Sequence, residues 1–241
     1  MGFRMGAQGA PSKSRMLLVA SVAEVDIDRL ADGVAGADAG LLKIPKSSSG
    51  IKTLKKVCRA MPDIPWGGWL KETGGEGIGQ MAEAGCDFVV FPAVSTSLAV
   101  LEEGKLGKVL EVEPGLDAGL LRAVDDLPVD AVLIAVEEGK HSLTWNHLML
   151  FQRCANLLTK PLLVSVPSEV AASELQALWE AGVSGVVVEA GIEAGGRLAE
   201  LRQMIDKLSL PLPSKRRKIE PLVPRIRGET VVESEEEEEE E

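Results

Sequence analysis

No stretch of the 241 residues reaches the ~20 consecutive apolar residues that a membrane-crossing helix needs, so no transmembrane segment is expected. The longest apolar opening, MLLVASVA at 16–23, runs straight into acidic EVDID and reads as a first strand rather than a signal peptide. Cysteine is scarce as well: Cys58, Cys86 and Cys154 stand far apart with no CxxC pair, which excludes a disulfide framework and fits reduced thiols in a cytoplasm. Cys86 and Cys154 read as small core residues. An excess of basic charge is also lacking. The net charge of −11 is concentrated in the last thirteen residues, where Glu229, Glu233 and Glu235 to Glu241 supply nine acids and leave about −2 for the rest. A body without a basic stripe gives no electrostatic reason to bind nucleic acid. No zinc motif is present, because His141 and His147 are six apart and fall on different helix faces.

What the sequence does contain is repetition. Short apolar runs recur at 16–21, 40–44, 64–70, 88–92, 108–113, 131–137, 161–167 and 185–191, giving eight strands. Helix-period segments lie between them, such as GIKTLKKVCRAM with Ile51, Leu54, Val57 and Cys58 on one face, and ELQALWEAG with Leu175, Leu178 and Trp179 together. Strands that are apolar throughout belong to parallel sheets covered on both faces. The turns EAGCDFVVF (83–91) and EAGVSGVVV (180–188) repeat a helix-ending glycine before a Val-rich strand, in the fourth and eighth units, as a duplicated half-barrel would. The fold class expected is α/β, a (β/α)8 TIM barrel over residues 16–208. An open doubly wound sheet is disfavoured because the first turn is not glycine-rich.

The ends lie outside this pattern. Residues 1–15 are small and polar and read as a disordered leader, and 209–241 combine prolines, the basic run KRRK (215–218) and a poly-Glu end without a periodic apolar face. Such a tail offers one route to a protein partner.

A barrel of this type carries its chemistry on the rim where the strands end. Polar residues at those ends are Glu24, Asp26, Lys43, Lys71, Glu72, Glu111, Glu113, Glu137, Glu138, Ser165, Ser168 and Glu189. Charges inside apolar strands are the informative ones, because a buried charge costs several kcal/mol unless it is paired. Alternation puts Glu111 and Glu113 on one side of KVLEVE, where either Lys43 or Lys71 could face them as an acid–base pair or as a structural salt bridge. A strand-end lysine can also form a Schiff base with a carbonyl substrate. The candidate catalytic set is therefore Lys43, Lys71, Glu111, Glu113, Glu137 and Glu189. Mg²⁺ is the one cation this set would suit, if the carboxylates converge.

The last two units, VSVPSEV and EAGVSGVVVEAG, resemble those of the phosphate-binding TIM barrels, a group that includes indole-glycerol-phosphate synthase, thiamine-phosphate synthase and flavin-dependent barrels. That resemblance implies a phosphate cradle after strands seven and eight. Here Pro167 lacks an N–H and Glu189 would repel a phosphate dianion, so the cradle is expected to be degenerate. GIEAGGR (191–197) is similar to a segment of nitronate monooxygenases, with Arg197 where that family has a catalytic histidine; flavin is not expected. Gly191, Gly195, Gly196 and Arg197 remain as a candidate ligand-binding set at a helix N-terminus. Two functions follow: a lyase or isomerase of small-molecule metabolism using the strand-end Lys and Glu groups on a ligand at the barrel mouth, or a non-catalytic scaffold acting through its charged tail.

Overall fold

In a computed structural model the chain is described over residues 15–23, 26–44, 47–71, 76–136, 142–190 and 196–209. Eight strands form a closed parallel barrel in sequence order. The first half runs β1 (Leu17–Val22), α1 (Ile27–Gly33), β2 (Ala39–Ile44), α2 (Ser47–Ala60), β3 (Trp66–Leu70), α3 (Glu76–Ala84) and β4 (Phe88–Pro92). A short 3₁₀ helix (Leu98–Glu102) precedes the second half, β5 (Gly107–Val112), α4 (Ala118–Asp126), β6 (Ala131–Ile134), α5 (Trp145–Leu157), β7 (Leu162–Val166), α6 (Ala172–Glu180), β8 (Gly185–Glu189) and α7 (Arg197–Asp206). All eight strands fall where the apolar runs place them. The β4–β5 connection differs from a full βα unit: its polar, turn-rich start leaves room for one 3₁₀ turn in place of an α-helix. Most of the leader and tail, residues 1–14 and 210–241, lie outside the described residues.

Alternation along each strand builds two cores. Outward side chains such as Leu18, Ala20, Leu42, Ile44, Val89, Val132, Val164 and Val186 pack under the helices, which press down Leu54, Val57, Leu121, Phe151, Leu175 and Leu201. Inward side chains form a second, smaller core: Val19, Leu41, Trp69, Val90, Val109, Leu133, Leu163 and Val187. Burying a Leu or Val side chain is worth about 1.5–3 kcal/mol, which is why both faces of each strand are apolar. At Gly67 an added Cβ would lie 2.2 Å from the Phe88 ring, so glycine there lets Phe88 fill the base of the barrel.

The helix-ending glycines of the two EAG turns adopt the left-handed conformation expected of them, φ +88° at Gly85 and +92° at Gly182. A finer repeat follows each turn. The residue just before every even strand clamps one residue of the preceding odd strand from both sides. Asp38, Asp87, Asp130 and Ser184 donate their N–H groups to the carbonyls of Leu18, Trp66, Lys108 and Leu162 at 2.8–2.9 Å. Their side-chain oxygens accept the N–H groups of the same four residues, at 2.8, 2.9, 2.7 and 3.4 Å. Four copies of one clamp thus fix the lower rim. Asp38 also receives Arg15 at 2.6 Å and Arg202 at 2.8 Å, tying the start of β1 to α7. Arg15, placed in the leader by composition, belongs to this latch.

A carboxylate acceptor is stronger than a hydroxyl, and removing it strands an N–H group. Asp87→Ala is therefore expected to lose about 1.5–3 kcal/mol in urea unfolding and Ser184→Ala under about 1 kcal/mol. Equal losses would show that the clamps do not work through charge-assisted hydrogen bonds.

Candidate functional site

The inward positions of a staggered barrel form tiers drawn from alternate strands. Following the strand register around the sheet places Ser21, Trp69, Glu111 and Ser165 in one tier, from β1, β3, β5 and β7. Lys43, Pro92, Ala135 and Glu189, from β2, β4, β6 and β8, form the tier above. Every tier below is apolar. The cylinder is a packed core up to Leu41, Val90, Leu133 and Val187, and polar from Ser21 upward.

Within these two tiers the side chains meet. The Lys43 Nζ lies 3.3 Å from Glu189 Oε1; the lysine side chain is 15% exposed and the carboxylate 58%. The Trp69 indole N–H donates to Glu111 Oε2 at 2.6 Å. Both lysines approach the Trp69 ring, Lys71 at 4.7 Å from its centroid and Lys43 at 5.9 Å, within cation–π range. Ser165 Oγ accepts the Val136 N–H at 2.6 Å. Ser21, 2% exposed, has a buried hydroxyl with no hydrogen-bond partner among the described residues.

Of the sequence-based candidates, Lys43, Lys71 and Glu111 therefore meet at one ring, and Glu189 joins them through Lys43. Glu113 does not join them: it follows β5, exposed, and among the described residues its carboxylate enters no ion pair. Glu137, Gly191 and Gly195 lie outside the described residues, as do Glu24, Glu72, Glu138 and His141. Gly196 caps α7 with φ +95°. Arg197 turns its guanidinium to the β7–α6 loop, donating to the Ser168 and Val170 carbonyls at 2.7 and 3.1 Å and pairing with Glu200 at 3.1 Å. Of the two partners open to Glu189, Lys43 and Arg197, the first is the one it meets. Residue-type reasoning passed over Ser21 and Trp69. Counting by twos from Val19 and from Lys71 would have found both.

Other chemistries are less well served. His147 is spent on the α5 capping box, its Nδ1 accepting the Thr144 N–H at 3.1 Å. Among the described residues no group of three or more His, Cys, Asp or Glu is placed to hold a metal ion, and no helix is long and apolar enough to cross a membrane. Burial pushes the Cys86 thiol up to about 12 and the Cys58 thiol up to about 11, and raises that of Cys154. None of the three is a thiolate at neutral pH. A hollow of about 540 Å³ lies outside the barrel between α5 and α6, lined by Trp145, Leu148, Phe151 and Ala177. Two of its polar members, Thr144 and Glu174, already act as helix caps, and Ser173 is the third; among the described residues charged groups gather at the barrel mouth instead.

No family model matches the sequence, and no curated protein matches it. Among solved structures the chain is similar to a mutant tryptophan synthase alpha-subunit from Pyrococcus furiosus, with a TM-score of 0.62 at 14% identity, over 81% of this chain and 98% of that one. It is similar also to a thiamine phosphate pyrophosphorylase from Pyrococcus furiosus, with a TM-score of 0.62 at 11% identity, over 80% and 96%. The likeness is one of fold: these are TIM barrels, as is this chain.

Trp69→Phe keeps an aromatic ring but removes the indole N–H and part of the buried volume, so it is expected to cost at least about 1.5–3 kcal/mol in urea unfolding, the range for a hydrogen bond to a charged group. A cost near zero would mean that Glu111 is equally well solvated without Trp69. Because their folded-state values lie above the ordinary value of 9.0, Cys58 and Cys86 hold their protons longest in the folded state. Their contribution to stability is complete below pH 9 and is lost as pH climbs toward 11–12. Iodoacetamide at pH 8 should accordingly label the unfolded chain at all three cysteines and spare Cys86 and Cys154 in the folded one; rapid native labelling of Cys86 would contradict the burial.

Proposed function

We propose that the barrel mouth binds a small organic molecule and moves a proton on it, as a lyase or isomerase of small-molecule metabolism does. The observation that carries this reading is the Lys43–Glu189 pair set directly above the Trp69–Glu111 hydrogen bond, on an apolar floor. Two solved structures of the same fold, a tryptophan synthase alpha-subunit and a thiamine phosphate pyrophosphorylase, are by name enzymes of such metabolism, which supports the class and not the reaction.

The chemistry follows from the placement. Glu189, half in solvent, is the base: its carboxylate takes a proton from a carbon beside a carbonyl, and the C–H electron pair moves onto the carbonyl oxygen. Lys43 holds the resulting enolate oxygen with its ammonium charge, worth more above a dry apolar tier than in water. Where the carbon that lost its proton carries a hydroxyl, transfer of that hydroxyl's proton to the enolate oxygen and return of the Glu189 proton to the former carbonyl carbon give isomerisation; departure of a group from the β-carbon with its electron pair gives elimination. Glu111, aimed by the Trp69 N–H, is a second carboxylate, able to accept the substrate hydroxyl proton and pass it to the enolate oxygen. Lys71, over the same ring, adds positive charge at the entrance.

Incubation in D₂O with pyruvate, glyceraldehyde and dihydroxyacetone, read by NMR, tests this. The full chain is expected to exchange a C–H beside the carbonyl of at least one of them. Glu189→Gln and Lys43→Met should each slow that exchange by roughly 10²–10⁴. Exchange no faster than with heat-denatured protein, or equal in wild type and both variants, overturns the proposal.

A further inference from the structure

Among the described residues, Ser21 is the one polar side chain of the mouth that the internal contacts do not explain. Val19, two residues earlier, is part of the inner core, so alternation points Ser21 into the barrel as well. Its Cα is registered with Glu189 on β8, and Lys43 projects from β2 on its other side, one tier higher. Trp69, Glu111 and Ser165, its companions in the tier, all have partners; the Ser21 hydroxyl does not. The other buried orphan, the Trp66 indole N–H, lies in the outer core between sheet and helices and bears on no site. A buried hydroxyl without a partner lowers stability, and that cost is recovered when a ligand atom takes the bond.

We propose that Ser21 and Lys43 together grip the carboxylate of a small 2-hydroxy or 2-oxo acid, and that Ser21 is a specificity residue of the mouth. This names the ligand class of the mouth and rests on the reading above. The 2-oxo acids carry the carbonyl that the reaction needs, with Lys43 reaching both their carboxylate and the adjacent enolate oxygen, and the 2-hydroxy acids are ligands of the same site. Ser21 contributes one neutral donor and Lys43 one charged donor to a single oxyanion head. Glu189, beside them on β8, accepts the hydroxyl of a 2-hydroxy acid or serves as the base at the carbon beyond the carbonyl of a 2-oxo acid. The Lys43–Glu189 contact sits a tier above Ser21 and opens to admit the ligand, for which the 58% exposure of Glu189 leaves room. The ligand carboxylate then replaces Glu189 beside Lys43. A monoanion suits this balance. A phosphate dianion does not, because Glu189 and Glu111 both face it.

Titration calorimetry of the full chain with lactate, pyruvate, acetate and inorganic phosphate, at fixed chloride, tests the assignment. Lactate and pyruvate are expected to saturate the site, acetate to bind more weakly for want of the second oxygen, and phosphate to bind least. Ser21→Ala should weaken lactate about tenfold, the equivalent of one lost hydrogen bond, and leave the urea midpoint unchanged or raised, since it removes the orphan hydroxyl. A structural serine would give the opposite pair of results. Lys43→Met, expected to abolish binding, is the second variant should Ser21→Ala fail to fold. Phosphate binding at least as tightly as pyruvate, no binding by either acid, or unchanged affinity in Ser21→Ala overturns the proposal. Binding of lactate without proton exchange on any carbonyl compound would sink the reaction and keep this site. Exchange on glyceraldehyde without acid binding would do the reverse.

Discussion

The pairing of β8 with β1, from Leu17 opposite Gly185 to Ser21 opposite Glu189, is the contact on which the rest of the molecule depends. It turns a row of parallel strands into a cylinder with a fixed stagger. Stagger decides which inward residues share a height. Once the seam is closed, Lys43 and Glu189, 146 residues apart, stand in the same tier and within ion-pairing reach. One register step at the seam would reverse the inward and outward sets of β8, send Glu189 under a helix and bring an apolar neighbour to the mouth.

The two ends of the cylinder answer the same physical problem in different ways. Backbone and charged groups leaving an apolar core must find partners at once. At the lower rim they find them in one repeated clamp, in which Asp38, Asp87, Asp130 and Ser184 each bind both sides of a preceding strand residue, and the solution is closed and static. At the upper rim the groups are unlike one another. An ion pair, an indole–carboxylate hydrogen bond, two ammonium groups over one ring and a lone hydroxyl share a small space. The first arrangement stabilises the chain; the second leaves donors and acceptors that a ligand can engage.

Trp69 connects these roles. Its ring belongs to the inner apolar core, its N–H orients Glu111, and its face attracts Lys71 and Lys43. A large flat side chain that is apolar at its base and polar at its edge is suited to the level at which the core ends. Glu189 marks the contrast with the phosphate-binding barrels that the last two units resemble: a carboxylate facing the mouth repels a phosphate dianion.

Strand number, parallel order and closure into a barrel were legible in the sequence, because each apolar run is short, buried on both faces and separated from the next by one helix length. Charges within those runs also marked Lys43, Glu111 and Glu189, since an ionic group in an apolar strand needs a partner wherever it ends up. Their partners were not legible. Lys43 with Glu189 rather than Arg197, Trp69 with Glu111, and Arg197 with the Ser168 and Val170 carbonyls are choices made by stagger and loop path. The 3₁₀ turn before β5 and the fourfold clamp were missed, because turn chemistry and side-chain capping leave no periodic trace. Local sequence thus determined which residues face inward, a matter of period two along one strand, whereas the height at which they meet was settled only when the eighth strand closed on the first.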